Sequence, residues 1–477
     1  MTDIAIFYGH AASNWGDLAI NSGLVELLKQ IGHTESEIRA IRLHPADRFD
    51  RISRESLGDV AVEDIAARGG ARAGINELTL LSDLLAAPEK FIRKHRLRGA
   101  DTIIINSGEH LFESASGEGL RDLIWRILPI ICSNRAATPV VVMPSTVGPF
   151  RTELGEQLVT LLNRLPVAFA FRDRASSELL GSTPLAEQPV VLDPGFFAHG
   201  LEPRGPLPEE PRTVGLVFRL ENYGLRAGSK RSAYVQAKHR LSSYRDSQAY
   251  QTFSRVAEEH LKLGRSIRLI VQTQADRELT HALYEELVAD HPEADIRLQD
   301  PETFQEYLDQ LRQLDVLVTS RFHAVILAEA QGVPAVGVYS ESHGHKMGGL
   351  FALLGIPEAS VRLDERLPEI VAEDIQTALR HSWSDREQRW ERLEGLKEQT
   401  RGWLRDALTA ERTGPIDTSR LQIQALAAVN RFLAESTQQD DLNGIRTALR
   451  RIEKTLSADA EESANPHTEE VADAAHA

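Results

Sequence analysis

The stretch Asp315-Val-Leu-Val-Thr-Ser320-Arg321-Phe-His323-Ala-Val-Ile-Leu-Ala-Glu-Ala-Gln-Gly332-Val-Pro334 places a guanidinium and an imidazole directly after an apolar run. It reads as a strand, a Ser320 cap, a helix, a glycine stop and a proline. The first N–H groups of a helix have no partner within it and carry the positive end of its dipole, so the start of this helix favours an anion, and Arg321 strengthens the pull. The same residues would also make a capped helix with a buried histidine.

In an open α/β sheet, ligands sit outside the carboxyl ends of the strands, which directs attention to the other turns that follow apolar runs. Asn14-Trp-Gly16-Asp17 precedes the helical stretch Leu18 to Ile31. There Asp17 reads as the cap and Gly16 as a point of close backbone approach. Asn106-Ser107-Gly108-Glu109-His110 and the turn containing Ser145, which ends Gly148-Pro149-Phe150, offer small residues and main-chain amides, or simply turns. Arg172-Asp173-Arg174-Ala-Ser176 puts a planar fork at a sheet edge, suited either to an anion or to a structural ion pair near Asp173. In Glu341-Ser-His343-Gly-His345-Lys346 the two histidines lack a nearby third ligand, so no metal site is expected, while Lys346 suits a phosphate or carboxylate.

These turns need strands behind them. Short Val- and Ile-rich runs alternate with amphipathic stretches, the rhythm of βα units around a parallel sheet buried on both faces. Strands are expected at 3–8, 37–43, 101–106, 139–143, 167–171 and 189–192, then at 213–219, 266–272, 295–298, 315–319 and 335–339. The proline-rich segment 201–211 between the two sets reads as a linker, because proline removes backbone donors and favours extended chain. The expected organisation is a doubly wound domain at 1–200 and a second at 201–384, facing each other across a cleft. A helical extension at 385–457 follows, with helices near 385–412, 419–435 and 440–456, and then a disordered acidic tail at 458–477.

Composition narrows the function. With 54 Lys and Arg against 70 Asp and Glu, the net charge is −16, which leaves no overall basic field for nucleic acid. The single cysteine, Cys132, cannot form an intrachain disulfide and fits a reducing compartment. The N-terminus lacks the pattern of a signal peptide and no apolar run reaches 18 residues, so the expectation is a cytoplasmic protein, at most peripherally bound at the inner membrane face. Against the acidic background, the segment from Arg219 to Asp246 carries seven basic residues and two acidic ones. The basic insert, 221–245, is expected to be either a solvated loop or a lid over an anionic acceptor such as a lipid-diphosphate-linked sugar.

Together, Asn14-x-Gly16-Asp17, Gly148-Pro149, Arg172-Asp-x-x-Ser176, Asp193-Pro194 with Phe196, and Ser320-Arg-x-His323-Ala324 followed by Gly332-x-Pro334 and Lys346 resemble the polysaccharide pyruvyl transferase family over residues 4 to 355. The paired glycines of that family appear here as Asn106-Ser107-Gly108. The resemblance implies two Rossmann-like doubly wound domains in a GT-B-like arrangement. It also implies transfer of the carbon skeleton of phosphoenolpyruvate to a sugar as a ketal, with release of phosphate and with no cofactor or metal. On this reading His323 and Arg321 are catalytic, His323 as the acid. Asn14, Gly16, Asp17, Ser107, Gly108, Ser145, Arg172, Asp173, Ser320 and Lys346 bind substrate. The alternatives are a nucleotide-sugar glycosyltransferase of the same architecture and a non-catalytic sugar- or partner-binding protein.

Overall fold

The computed structural model describes residues 2–8, 14–43, 57–65, 73–106, 108–113, 118–165, 167–206, 208–219, 245–340, 346–364, 366–409 and 414–438. The first sheet contains β1 (Ile4–Tyr8), β2 (Ile38–Arg42), β3 (Ala61–Asp64), β4 (Thr102–Ile105), β5 (Gly108–Leu111), β6 (Val140–Val147) and β7 (Val167–Phe171). The second contains β8 (Thr213–Val217), β9 (Ser266–Ile270), β10 (Ile296–Gln299), β11 (Val316–Thr319), β12 (Ala335–Tyr339) and β13 (Ser360–Arg362). The helices that matter here are α1 (Trp15–Gln30), α2 (Arg174–Leu179), α3 (Gln248–Lys262), α4 (Phe322–Glu329), α5 (Lys346–Leu354), α6 (Pro368–Ser384), α7 (Arg386–Leu408) and α8 (419–438).

Both sheets are parallel. The second runs β10-β9-β8-β11-β12-β13. In the first, β3-β2-β1-β4 leads to β6, whose start pairs with β4 and whose end pairs with β5, so β5 prolongs the line of β4 and β7 closes the far side of β6. Each sheet therefore reverses direction between its first strand and its fourth line of strand, the doubly wound order whose crevice opens at that reversal. In the first sheet the crevice lies above β1 and β4, in the second above β8 and β11.

The strand sequences explain the layering. In β1, Ile4 and Ile6 join one core while Ala5 and Phe7 join another, so a continuous apolar run serves two faces. The first of these cores does not stop at one sheet. It gathers Ile104 and Val141 of the first sheet, Leu24 and Leu28 of α1, Val325 and Ile326 of α4, and Leu317 of β11. Seven of the eight residues of α4 are buried, because this helix is covered on all sides.

Ten of the eleven expected strands form. The exception is 189–192, where Val190 makes only an isolated bridge to Phe171; Pro189 has no N–H to continue a ladder. Three short strands were not anticipated. β3 and β13 lie at sheet edges, and β3 reads Ala-Val-Glu-Asp, too polar to announce burial. β5 starts with Gly108 at φ +138°, a turn residue by sequence.

Segment 201–206 is anchored rather than loose: Arg204 N donates to Gln331 O at 2.8 Å and its guanidinium pairs with Asp315. The C-terminal helices form largely where expected and return to the rest of the chain. α7 buries Leu393 and Leu404 in the shared core, and α8 buries Leu421, Ala425 and Val429 against the first sheet's outer core. The expected helix at 440–456, the acidic tail and the basic insert at 221–244 lie outside the described residues.

Candidate functional site

α4 begins at the seam between the two sheets, and its first turn differs from the sequence expectation. Arg321, not Ser320, is the N-cap residue. The Arg321 N–H donates to Thr319 Oγ1 at 2.9 Å, and Ser320 Oγ instead accepts from Arg219 N at 2.9 Å, which ties the end of β8 to the end of β11. The cap of α1 is also displaced. Asn14 Oδ1 accepts from Gly16 N at 3.1 Å, and Asp17 sits inside the first turn, where its charge suits the helix dipole.

His323 is the centre of one group. Its side chain is 11% exposed, and Nε2 lies 3.9 Å from Asp193 Oδ2. On the other flank is Gly16: a Cβ there would fall 2.5 Å from His323 Nδ1 and 2.6 Å from its Cβ, so only glycine lets α1 come this close. Asp193 and Gly16 belong to the part of the chain that forms the first sheet, His323 to the second. The imidazole is thus held by residues from across the seam.

Asp193 is itself fixed. Oδ1 accepts from Gly195 N at 2.8 Å and Oδ2 from Arg172 Nη1 at 2.7 Å, with both side chains of the pair 1% exposed. Arg172 Nε donates to Thr146 Oγ1 at 2.8 Å, and the guanidinium carbon lies 4.5 Å from the centroid of the Phe322 ring. Thr146 in turn donates to Asp173 Oδ2 at 2.8 Å, while Asp173 Oδ1 caps α2 by accepting from Ser176 N at 2.8 Å. A buried chain of polar contacts therefore runs from α2 through Asp173, Thr146 and Arg172 to Asp193 beside His323. Burial in low dielectric makes each link stronger and each missing link more costly. Lys346 opens α5 with Nζ 6.0 Å from the same Phe322 ring.

A second group surrounds Arg321. Its guanidinium forms a two-pronged pair with Asp276, with Nε 2.7 Å from Oδ2, and Nη2 also donates to Thr273 Oγ1 at 3.2 Å. The same loop crosses the seam: Gln272 Nε2 donates to Asn14 Oδ1 at 3.2 Å, Trp15 N donates to Gln272 O at 3.4 Å, and Asn14 bridges Thr273. Tyr307 donates to Gln272 Oε1 at 3.0 Å; burial pushes its phenol pKa up, so it keeps the proton it donates.

The structure brings Gly16, Arg172, His323 and Lys346 around Phe322 and Asp193, and Asn14 and Arg321 around the loop 272–276. Asp173 lies beneath the first group. Ser145 is fully buried with Oγ donating to Met143 O at 2.8 Å, and Gly108 pairs with it in the sheet, so both serve the strands. Ser107, His343 and His345 lie outside the described residues. Sequence reasoning did not place Phe322, Thr146, Asp193 or Gln272, Thr273 and Asp276 in the site. The signal for the last three was present: Gln-Thr-Gln-Ala-Asp follows an apolar strand at its carboxyl end.

A glycosyltransferase from Rickettsia africae superposes with a TM-score of 0.50 at 8% identity, over 86% of this chain and 99% of that one. The UDP-GlcNAc 2-epimerase from Neisseria meningitidis bound to UDP-GlcNAc gives 0.48 at 10% identity, over 85% and 100%. With the strand orders above, the fold is two Rossmann-like doubly wound units in a GT-B-like arrangement, carrying C-terminal helices. Among the described residues, no helix is long and apolar enough to cross a membrane. No curated protein sequence matches the chain. The family model for polysaccharide pyruvyl transferase matches residues 14–342, which is more than half of the chain and takes in every side chain of the two groups except Lys346. The chain belongs to the polysaccharide pyruvyl transferase family.

Proposed function

We propose that the protein transfers the pyruvyl skeleton of phosphoenolpyruvate to a sugar of a polysaccharide or its precursor, closing a ketal across two hydroxyls and releasing phosphate. The observation that carries this reading is the placement of His323 in the first turn of α4 at the seam, with Arg172, Arg321 and Lys346 around the same turn, in a chain of this family. A donor with a carboxylate and a phosphate needs cations and main-chain N–H groups; the helix start supplies the latter, while Arg172 and Arg321, each paired with a carboxylate, Asp193 and Asp276, would meet the donor as members of those pairs.

In the proposed reaction the protonated imidazole of His323 gives its proton to the methylene carbon of the donor, and positive charge develops on the central carbon. A sugar hydroxyl adds there and loses its proton. The bond from the central carbon to the phosphate oxygen then breaks, and the second hydroxyl adds to the same carbon. Of the two hydroxyl protons lost, one balances the proton now in the methyl group and the other leaves with phosphate. The carboxylate of Asp193 faces the imidazole, and Arg172 and the Gly195 N–H hold that carboxylate in place. The basic segment around 221–245 is proposed to meet the diphosphate of a lipid-linked acceptor at the inner membrane face.

The test is phosphate release from phosphoenolpyruvate with and without sugar acceptors. His323→Ala is expected to lose at least about 10²-fold in kcat, as for a missing general acid, while still binding the donor. Sugar transfer from a nucleotide sugar, with no acceptor-dependent phosphate release, would replace this reading with a glycosyltransferase. Normal turnover in His323→Ala would move the acid to another residue.

A further inference from the structure

The far ends of α1 and α4 meet a second concavity. A cavity of about 600 Å³ lies between Glu26 and Gln30 near the end of α1, the segment 196–203, and one face of α7. This is within the roughly 300–1,000 Å³ range of small-molecule sites. Glu26 and Gln30 lie ten and fourteen residues beyond Gly16, about 15–20 Å along the helix at its usual rise, so the cavity is separate from the His323 group.

The lining from α7 is Trp390, Glu394, Lys397 and Arg401, at spacings of four, three and four, a single helical stripe. The neighbouring stripe, Arg389, Leu393, Thr400 and Leu404, is the one that α7 buries. α7 also lies beyond residue 342, where the family match ends.

The chemistry of the walls selects among ligands. Lys397 Nζ lies 5.2 Å from the Trp390 ring centroid and the Arg401 guanidinium carbon 5.5 Å from that of Phe197, so the wall combines aromatic rings with the aliphatic stems of the two cations. Both cations are already matched: Lys397 with Glu394 at 2.8 Å, and Arg401 with Glu398 at 3.1 Å and Gln30 Oε1 at 3.0 Å. A phosphate would find compensated cations and the carboxylates of Glu26 and Glu394. A neutral sugar ring has an apolar C–H face for the ring-and-stem wall, and hydroxyls that both donate to carboxylates and accept from guanidinium and ammonium groups.

We propose that this cavity is a second carbohydrate site, which takes a neutral sugar unit of the acceptor remote from the reacting one. Its role rests on the reading of the acceptor as a polysaccharide or its precursor. Holding a distant unit raises the local concentration of the reacting unit without adding a contact at the seam.

The experiment is calorimetric titration of the full chain with cellotetraose, maltotetraose and mannotetraose, with inorganic phosphate and UDP as anionic probes. It is repeated on Glu394→Gln, Arg401→Met and Trp390→Leu, with thermal melting to verify folding. The two rim variants remain informative if Trp390→Leu, which also packs on Gly332, does not fold. Saturable binding of at least one tetrasaccharide, weakened at least about tenfold in the rim variants, is expected. Phosphate release with a single-sugar acceptor should be unchanged in those variants, while a chain acceptor bearing the bound sugar shows a raised KM. No tetrasaccharide binding, binding indifferent to the rim variants, or phosphate or UDP binding that the rim variants abolish would each overturn the proposal. The binding arm does not depend on turnover, so its failure is distinct from failure of the pyruvyl-transfer reading.

Discussion

Gly16 shows how far one missing side chain can reach into chemistry. The atoms a Cβ would strike include His323 Cβ, which cannot swing aside, so Gly16→Ala must displace either the start of α1 or the imidazole. Overpacking of this kind costs about 1–3 kcal/mol. The variant is expected to fold with lowered stability and to lose more than tenfold in kcat with little change in donor affinity. Steady-state kinetics beside urea unfolding would test this, and unchanged kcat would free Gly16 of any part in placing His323. The sequence disclosed that Gly16 and His323 follow strands and suit ligands. It could not disclose that they touch, because 307 positions separate them and the contact depends on two sheets docking. Arg172 carries the same lesson: its type announced a charged fork, but only the fold pairs it with Asp193 rather than with the adjacent Asp173.

Among the elements, the interior strands were legible because burial on both faces demands unbroken apolar runs, as in the Ile4–Tyr8 and Val316–Thr319 segments. Edge strands such as Ala61–Asp64 carry no such demand and read as loop. The cap of α1 was legible in kind but displaced, from Asp17 to Asn14, which is equally competent by composition, whereas α4 starts on Arg321 with no side-chain cap in place of the expected Ser320. The packing of α3 on α6 yields a measurable pH effect. His260 on α3 is fully buried, with Nδ1 3.0 Å from Arg265 Nη1 and Nε2 3.2 Å from the Gln376 amide nitrogen. Burial, with Arg265 adding to it, lowers its pKa to about 4. Below an unfolded-state pKa of about 6.5 the unfolded chain binds a proton that the folded one refuses, so stability rises with pH between about 4 and 6.5. Lowering the pH from 7 to 5 should cost about 2 kcal/mol through this residue. The loss should be smaller by that amount in His260→Gln, measured by urea unfolding at both pH values; equal losses would remove His260 as the cause.

Taken whole, the molecule is joined through its middle. The core that buries α1 and α4 draws on both sheets, so neither can unfold without exposing apolar surface of the other. The chain is therefore expected to unfold in one cooperative transition, with the amides of α1 and α4 among the last to exchange with deuterium. Two resolved transitions in calorimetry, or early exchange in α4, would contradict this. The return of the chain has a consequence for its manufacture. α8 closes the outer core of the first sheet with Leu421, Ala425 and Val429, held by Gln422 to Leu85 O at 2.6 Å and by Asn134 to Ile416 O at 2.8 Å. During ribosomal synthesis the first sheet, complete at Phe171, precedes that covering helix, which starts at 419, by 248 residues. At about 5–20 residues per second, its outer apolar patch stays open for tens of seconds, an interval in which a nascent-chain chaperone has a natural substrate.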